Sequence, residues 1–190
     1  MEVFKNFLMD NLKMPLEDLG IISDRISYRT VEKNEFIVSA GSISGCTYFV
    51  EKGVLRMYSI SESGKEHIIQ FAPELWLIAD RRSTYLHEPS AFYIQAIEDS
   101  EVVFIQKGFI EDIIRMYPDT AEKITLLLQR HIMLMQHRVN MLLSATAEEL
   151  YLDFLETYPH LLNRVPLYMI ASFLGITPES LSRLRSELNR

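Results

Sequence analysis

Glycine is scarce in this chain, and its placement divides 190 residues into a part that must turn sharply and a part that need not. Four of the seven glycines, Gly41, Gly45, Gly53 and Gly64, lie within one window of 24 residues. Short aromatic and β-branched runs fall around them at 35–39, 47–50, 54–58 and 67–71, and two more follow at 92–97 and 101–105. Runs of four to six such residues, separated by Gly, Pro and Ser turns, predict an all-β sandwich or barrel. The segment Glu62-Ser-Gly-Lys65 between two of them is a hairpin signal, with Gly64 free to take a positive φ. After Gly108 the pattern changes. Residues 118–143 hold no glycine and no proline beyond Pro118, and they predict one long helix. Ala121, Thr125, Leu128, Ile132, Met135, Val139 and Leu142 recur at alternating spacings of four and three. That is the seam of a coiled coil, so this helix is expected to pair with its copy in a second chain. An amphipathic helix packed on its own β-domain is the plainer alternative. His131 and Arg138 are read as flanking the seam.

Composition narrows the classes further. Nearly half the residues are hydrophobic and the net charge is −7, which is globular and excludes disorder as the main state. No apolar run is long enough to span a bilayer, and the residues after Met1 show no secretion signal, so a soluble cytoplasmic protein away from membranes is expected. The single cysteine, Cys46, excludes an internal disulfide and a cysteine-built metal site within one chain. No cofactor is expected. The acidity argues against a protein that coats nucleic acid without selectivity, because such binding relies on a basic surface.

The C-terminal third carries the functional pattern. Thr146-Ala-Glu-Glu149 is a capping box and starts a helix that stops before Pro159. Pro166 suits the first turn of the next helix, Gly175 closes it, and Thr177-Pro178 opens the last. Segment 165–184 therefore reads as a helix-turn-helix. Ala171 is small enough for two helices to cross closely, and Gly175 tolerates the backbone of the turn. Leu181 and Leu184 pin the second helix against Ile170 and Leu174 of the first. Its other side carries Glu179, Ser180, Ser182, Arg183 and Arg185. A glutamate accepts from cytosine N4 and an arginine pairs bidentately with guanine, each worth about 1–3 kcal/mol of base discrimination. Thr177, with its hydroxyl beside free backbone N–H groups, suits a phosphate. A pair of such helices on a two-fold axis reads half-sites about 34–36 Å apart. Residues 144–190 carry a net charge of −2. From Ile176 onward, Arg183, Arg185 and Arg190 outweigh Glu179 and Glu187, so a selective binder with a shallow salt dependence is expected.

Glycine-rich roll, long helix and helix-turn-helix, in this order and over nearly the whole chain, resemble the Crp/Fnr transcription regulators. Gly41, the run Thr47-Tyr-Phe-Val-Glu-Lys-Gly53 and Gly64-Lys-Glu66 resemble the family's jelly-roll signature. Gly175-Ile-Thr-Pro-Glu-Ser-Leu-Ser-Arg183 resembles its recognition stretch, with Glu179 and Arg183 at the base-reading positions and Pro178 where many members place an arginine. The resemblance implies an α+β protein. A double-stranded β-helix (jelly-roll-like) sensor domain at 1–117 would precede a dimerisation helix at 118–143 and a helix-turn-helix domain at 144–190. It further implies a homodimer seamed by Leu128, Ile132, Met135, Val139 and Leu142. The partners implied are a palindromic double-stranded DNA operator, RNA polymerase and a small-molecule effector. An effector acts by binding one dimer state better than the other.

The ligand loop departs from the family's pattern. Members that bind cyclic nucleotides use a Gly-Glu pair and, later, an Arg-Ser-Ala segment around the phosphate. Here residues 74–83 (ELWLIADRRS) lack the pair, and the arginine's position falls near Ser90 or Ala91. A buried phosphodiester would be poorly compensated, so cyclic AMP is not the expected effector. Cys46 alone cannot hold the oxygen-sensing cluster of another branch, and His67, His87 and His131 read as surface or packing residues. Trp76 reads as a core plug. The alternative is that Trp76, Arg82 and Tyr93 line a site for another anionic or aromatic metabolite. Two rivals stand beside the regulator. A cupin-type enzyme needs a His-x-His pair with further ligands, and the roll offers only the separated His67 and His87. A cyclic-nucleotide-like regulatory module could instead act through protein contacts without touching DNA.

Overall fold

The computed structural model describes residues 1–14, 20 and 24–188. The glycine-marked region forms two four-stranded sheets. One has the order β1 (Ile26–Val31), β8 (Ser100–Gln106), β3 (Cys46–Lys52), β6 (Leu77–Ile78); the other β2 (Phe36–Val38), β7 (Tyr93–Ala96), β4 (Leu55–Ile60), β5 (Glu66–Ala72). Strand β8 runs antiparallel to both β1 and β3, in register from Ile26 opposite Ile105 to Val31 opposite Ser100, and with Tyr48 opposite Phe104. Side chains alternate along these strands, as a pleat requires. Tyr48 and Val50 of β3, with Val102 of β8, enter a core between the sheets that also takes Val38, Leu55, Met57, Ile94 and Ala96. Phe49 and Val103 point the other way, into a second core capped by helices α1 (Glu2–Leu12) and α3 (Phe109–Met116). Phe4 of α1 meets Phe49 at 5.0 Å between ring centroids. The fold is α+β with a jelly-roll-like double-stranded roll, as expected.

Gly53 shows why this roll spends its glycines where it does. Its φ is +96°, and a Cβ there would lie 2.2 Å from Ser100 Oγ and 2.8 Å from Ser100 Cα. The neighbour is backbone, so no side chain fits. The hairpin between β4 and β5 turns at Ser61–Lys65, where Ser61 N donates to Lys65 O at 3.0 Å and Gly64 N to Ser61 O at 2.9 Å.

The long helix α4 spans Thr120–Ser144, matching the expected extent. Three further helices follow: α5 (Ala147–Thr157), α6 (Leu167–Leu174) and α7 (Pro178–Leu188). The capping box forms as read: Thr146 Oγ1 accepts from Glu149 N at 3.3 Å, and Glu149 Oε2 accepts from Thr146 N at 2.7 Å. Pro166 sits at the N-cap of α6 with ψ 138°, one position ahead of the first turn expected for it. The chain separates into two compact units, one of Met1–Ser59 with Gln70–Leu127, the other of Ile60–Ile69 with Leu128–Arg190. Among the described residues, five elements carried no clear signal in the sequence: α1, β1, the two-residue β6, the six-residue α2 (Arg81–Leu86) and α3.

Candidate nucleic-acid interface

Helices α6 and α7 form the helix-turn-helix, and local chemistry fixes their turn. Gly175 takes φ 71° at the C-cap, Gly175 N donates to Ser172 O, and Ile176 N reaches back to Ala171 O at 3.0 Å. These are the bonds of a Schellman end, which needs a residue at ease in the left-handed region. Thr177 then caps α7: its Oγ1 accepts from Ser180 N at 3.2 Å, and its carbonyl accepts from Leu181 N at 3.0 Å. Ala171, Ile170 and Leu181 are fully buried and Leu174 nearly so, which locks the two helices together.

On α7, Glu179, Ser182, Arg183 and Ser186 follow the i, i+3, i+4, i+7 spacing of one helix face, and with Pro178 they line an open cleft of about 520 Å³. All four are exposed. Among the described residues, no hydrogen bond or ion pair engages the Arg183 guanidinium. Glu179 receives its own backbone N–H and the Thr177 hydroxyl, which hold its carboxyl below the ordinary 4.5 and keep it an ionised acceptor. Thr177 and Ser180 stand at the helix start, their hydroxyls joined at 3.1 Å. Arg185 is half-buried and off this face. Ser186 was not among the residues singled out from the sequence; the i+7 spacing from Glu179 is the signal that finds it.

Behind the turn, Arg138 of α4 is more than a flank of the seam. Its guanidinium lies 3.4 Å from the Phe173 ring centroid and donates to the Phe173 carbonyl, in the last turn of α6. A cation at a helix C-terminus is favourable. Burial pulls the Arg138 guanidinium below its ordinary pKa. Phe173 closes a triangle of rings with Phe154 and Tyr158, at 5.8 and 5.7 Å. Beside Arg138, His137 Nε2 meets Asp153 Oδ1 of α5 at 2.6 Å. The stripe Leu128, Ile132, Val139 and Leu142 is exposed by 45–56%, and Met135 is half-buried. Leu142 Cδ2 also lies within 3.8 Å of the Gly175 Cβ position.

The ligand loop of the roll is closed on its own groups. Asp80, 4% exposed, caps α2 by accepting from Arg82 N at 3.0 Å and Ser83 N at 3.3 Å, and its other oxygen accepts from Ser90 Oγ at 2.8 Å. Ser83 Oγ accepts from Ser44 N at 2.8 Å, and Ser44 Oγ pairs with the Tyr48 hydroxyl at 2.8 Å. Burial, opposed by that Ser44 bond, pushes the Tyr48 phenol up to about 12. Trp76, Arg82 and Tyr93 have separate surroundings. Trp76 packs half-buried on the core between the sheets, Arg82 is exposed and paired with Glu88, and Tyr93 stacks on Tyr58 at 5.2 Å. Among the described residues, no group of three or more His, Cys, Asp or Glu could hold a metal ion, and no helix is long and apolar enough to cross a membrane.

Residues 28–117 match the cyclic nucleotide-binding domain family. The chain is 26% identical to the Anaerobic regulatory protein of Haemophilus influenzae over 180 residues, 89% of this chain and 68% of that protein. It is 26% identical to the Transcriptional activator protein Anr of Pseudomonas protegens over 91% of this chain and 75% of that one. In fold it is similar to FixK2 from Bradyrhizobium japonicum, with a TM-score of 0.72 over 86% of this chain and 84% of that one, at 20% identity. With roll, long helix and helix-turn-helix in this order, and with these relatives, the chain is similar to regulators of the Crp/Fnr type.

Proposed function

We propose that this chain is a sequence-specific DNA-binding transcription regulator that works as a homodimer. The observation that carries the proposal is the exposed face Glu179, Ser182, Arg183 and Ser186 on a helix whose opposite side is pinned by Leu181. Laid in a major groove, it offers one ionised acceptor, two hydroxyls and an uncommitted guanidinium to base edges. Thr177 and Ser180 would meet a phosphate, and Arg185 the backbone beside it. The relatives named as regulatory and activator proteins support the same reading.

Dimerisation is supported by the exposed stripe Leu128, Ile132, Val139 and Leu142, with Met135 among them, a heptad surface that a second copy would cover. In this reading 1–117 senses, 118–143 pairs and 144–190 reads a palindromic operator in the cytoplasm, and the bound dimer acts on RNA polymerase. The effector is a small molecule other than cyclic AMP, because the buried Asp80 carboxylate already takes the N–H groups that open α2 and would repel a phosphodiester. Arg183→Ala should abolish selective DNA binding while the circular dichroism spectrum stays unchanged; retained selection would reject the assignment. Sedimentation equilibrium should give a dimer at micromolar concentration, and a monomer there would remove the basis for paired half-sites.

A further inference from the structure

The hairpin Ile60–Ile69 belongs to the same compact unit as the helix-turn-helix, and one side chain fastens it there. Strand β5 is the edge of its sheet, so its outward backbone groups need partners from outside the sheet. Ser172 of α6 supplies them. Its hydroxyl donates to Glu66 O at 2.8 Å and accepts from Ile68 N at 3.2 Å. On an edge strand these groups, two residues apart, lie on the same side, and a neighbouring strand would bond that pair. The serine stands in for that neighbour. The clip sets Lys65 beside the start of α7: Lys65, Ser172, Thr177 and Pro178 line one cleft of about 320 Å³.

We propose that this hairpin is a third limb of the DNA interface, in which Lys65 contacts a phosphate flanking the bases read by α7 and Ser172 is the positioning residue that holds it there. The inference rests on the DNA-binding reading above. An ammonium on a flexible stem suits a backbone contact, which adds affinity and register but no base preference. Pro178 brings no side-chain donor to the backbone, which leaves that role open at the adjacent position. The acidic Glu62 and Glu66 on the same hairpin limit the contact to one lysine.

The test measures affinity against salt for two labelled duplexes, one carrying the site that the wild-type chain selects and one scrambled. Each phosphate contact makes a fourfold rise in salt cost about 3.5-fold in affinity. Lys65→Gln should therefore weaken both duplexes alike and lower the salt slope by about one per protomer. Ser172→Ala should give the same loss with Lys65 intact, Ser172→Thr should restore it, and the double variant should be no weaker than Lys65→Gln alone. Unchanged slopes in Lys65→Gln, with Arg183→Ala still losing selection, would overturn the hairpin proposal and leave the DNA reading standing. A wild-type chain that binds neither duplex would overturn both. Additive losses in the double variant would remove Ser172 from the role.

Discussion

Replacing Arg138 with alanine should destabilise the helix-turn-helix unit far more than replacing its neighbour His137. Arg138 loses two things at once: a charge-assisted hydrogen bond to the Phe173 carbonyl and a guanidinium laid on the Phe173 ring at 3.4 Å. The first is worth about 1.5–3 kcal/mol and the second about 1 kcal/mol. Burial of the cation, which pulls its pKa down, opposes both and is relieved by the change. The net cost is about 2 kcal/mol, which for a chain of this size lowers the melting temperature by roughly 4–8 °C. Arg138→Lys keeps the charge but has no plane to stack, so it should recover less than half. His137→Ala breaks a pair whose members are 53% and 28% exposed, and should cost under about 1 kcal/mol. The assay is urea unfolding followed by far-ultraviolet circular dichroism, with thermal melts beside it. An Arg138→Ala midpoint matching that of His137→Ala, or an Arg138→Lys variant equal to wild type, would refute the reasoning.

Gly53→Ala forces a methyl group against the Ser100 backbone at positive φ and should cost roughly 3–4 kcal/mol. Gly175→Ala meets only the Leu142 methyl at 3.8 Å, so it should cost about 1 kcal/mol, from the left-handed backbone alone; equal melts for the two variants would contradict this. Thr146→Ala should cost about 1 kcal/mol by removing the cap of α5. The Thr146 backbone and hydroxyl hold the Glu149 carboxyl below its ordinary 4.5, so the carboxylate half of this cap stabilises above that pH and is lost as pH falls through the lowered value. The gap between wild type and Thr146→Ala should narrow on acidification, keeping the part due to the Thr146 Oγ1 bond from Glu149 N. Calorimetry with cyclic AMP should give no heat of binding, and a micromolar constant would overturn the reading of Asp80.

What was legible in the sequence was local. Six β runs, the capping box at Thr146 and Glu149, and the Gly175–Thr177 turn each announce themselves within a few residues, and each forms. Strand β1 carries no alternation because four of its six residues are exposed, and only Val31 is fully inside. Helix α1 repeats Phe4, Leu8 and Leu12, but no side chain caps it. Its start is instead held by Glu51, whose Oε1 accepts from Val3 N at 2.8 Å, from 48 residues away. Within the reading head, the face Glu179, Ser182 and Arg183 follows from helical spacing, whereas the two supports behind it do not. Arg138 reaches Phe173 across 35 residues, and Ser172 reaches Glu66 and Ile68 across more than 100. No periodicity joins residues that far apart; only the packed chain does.

The central claim, selective DNA recognition by a two-fold pair of α7 helices, is tested most directly by selecting bound sites from a random duplex library with the wild-type chain. The account predicts a palindromic motif whose half-sites are separated by about one helical turn, 34–36 Å, with strong preference at the few positions that Glu179 and Arg183 reach. A library that emerges without enrichment, or a single asymmetric half-site, would contradict it.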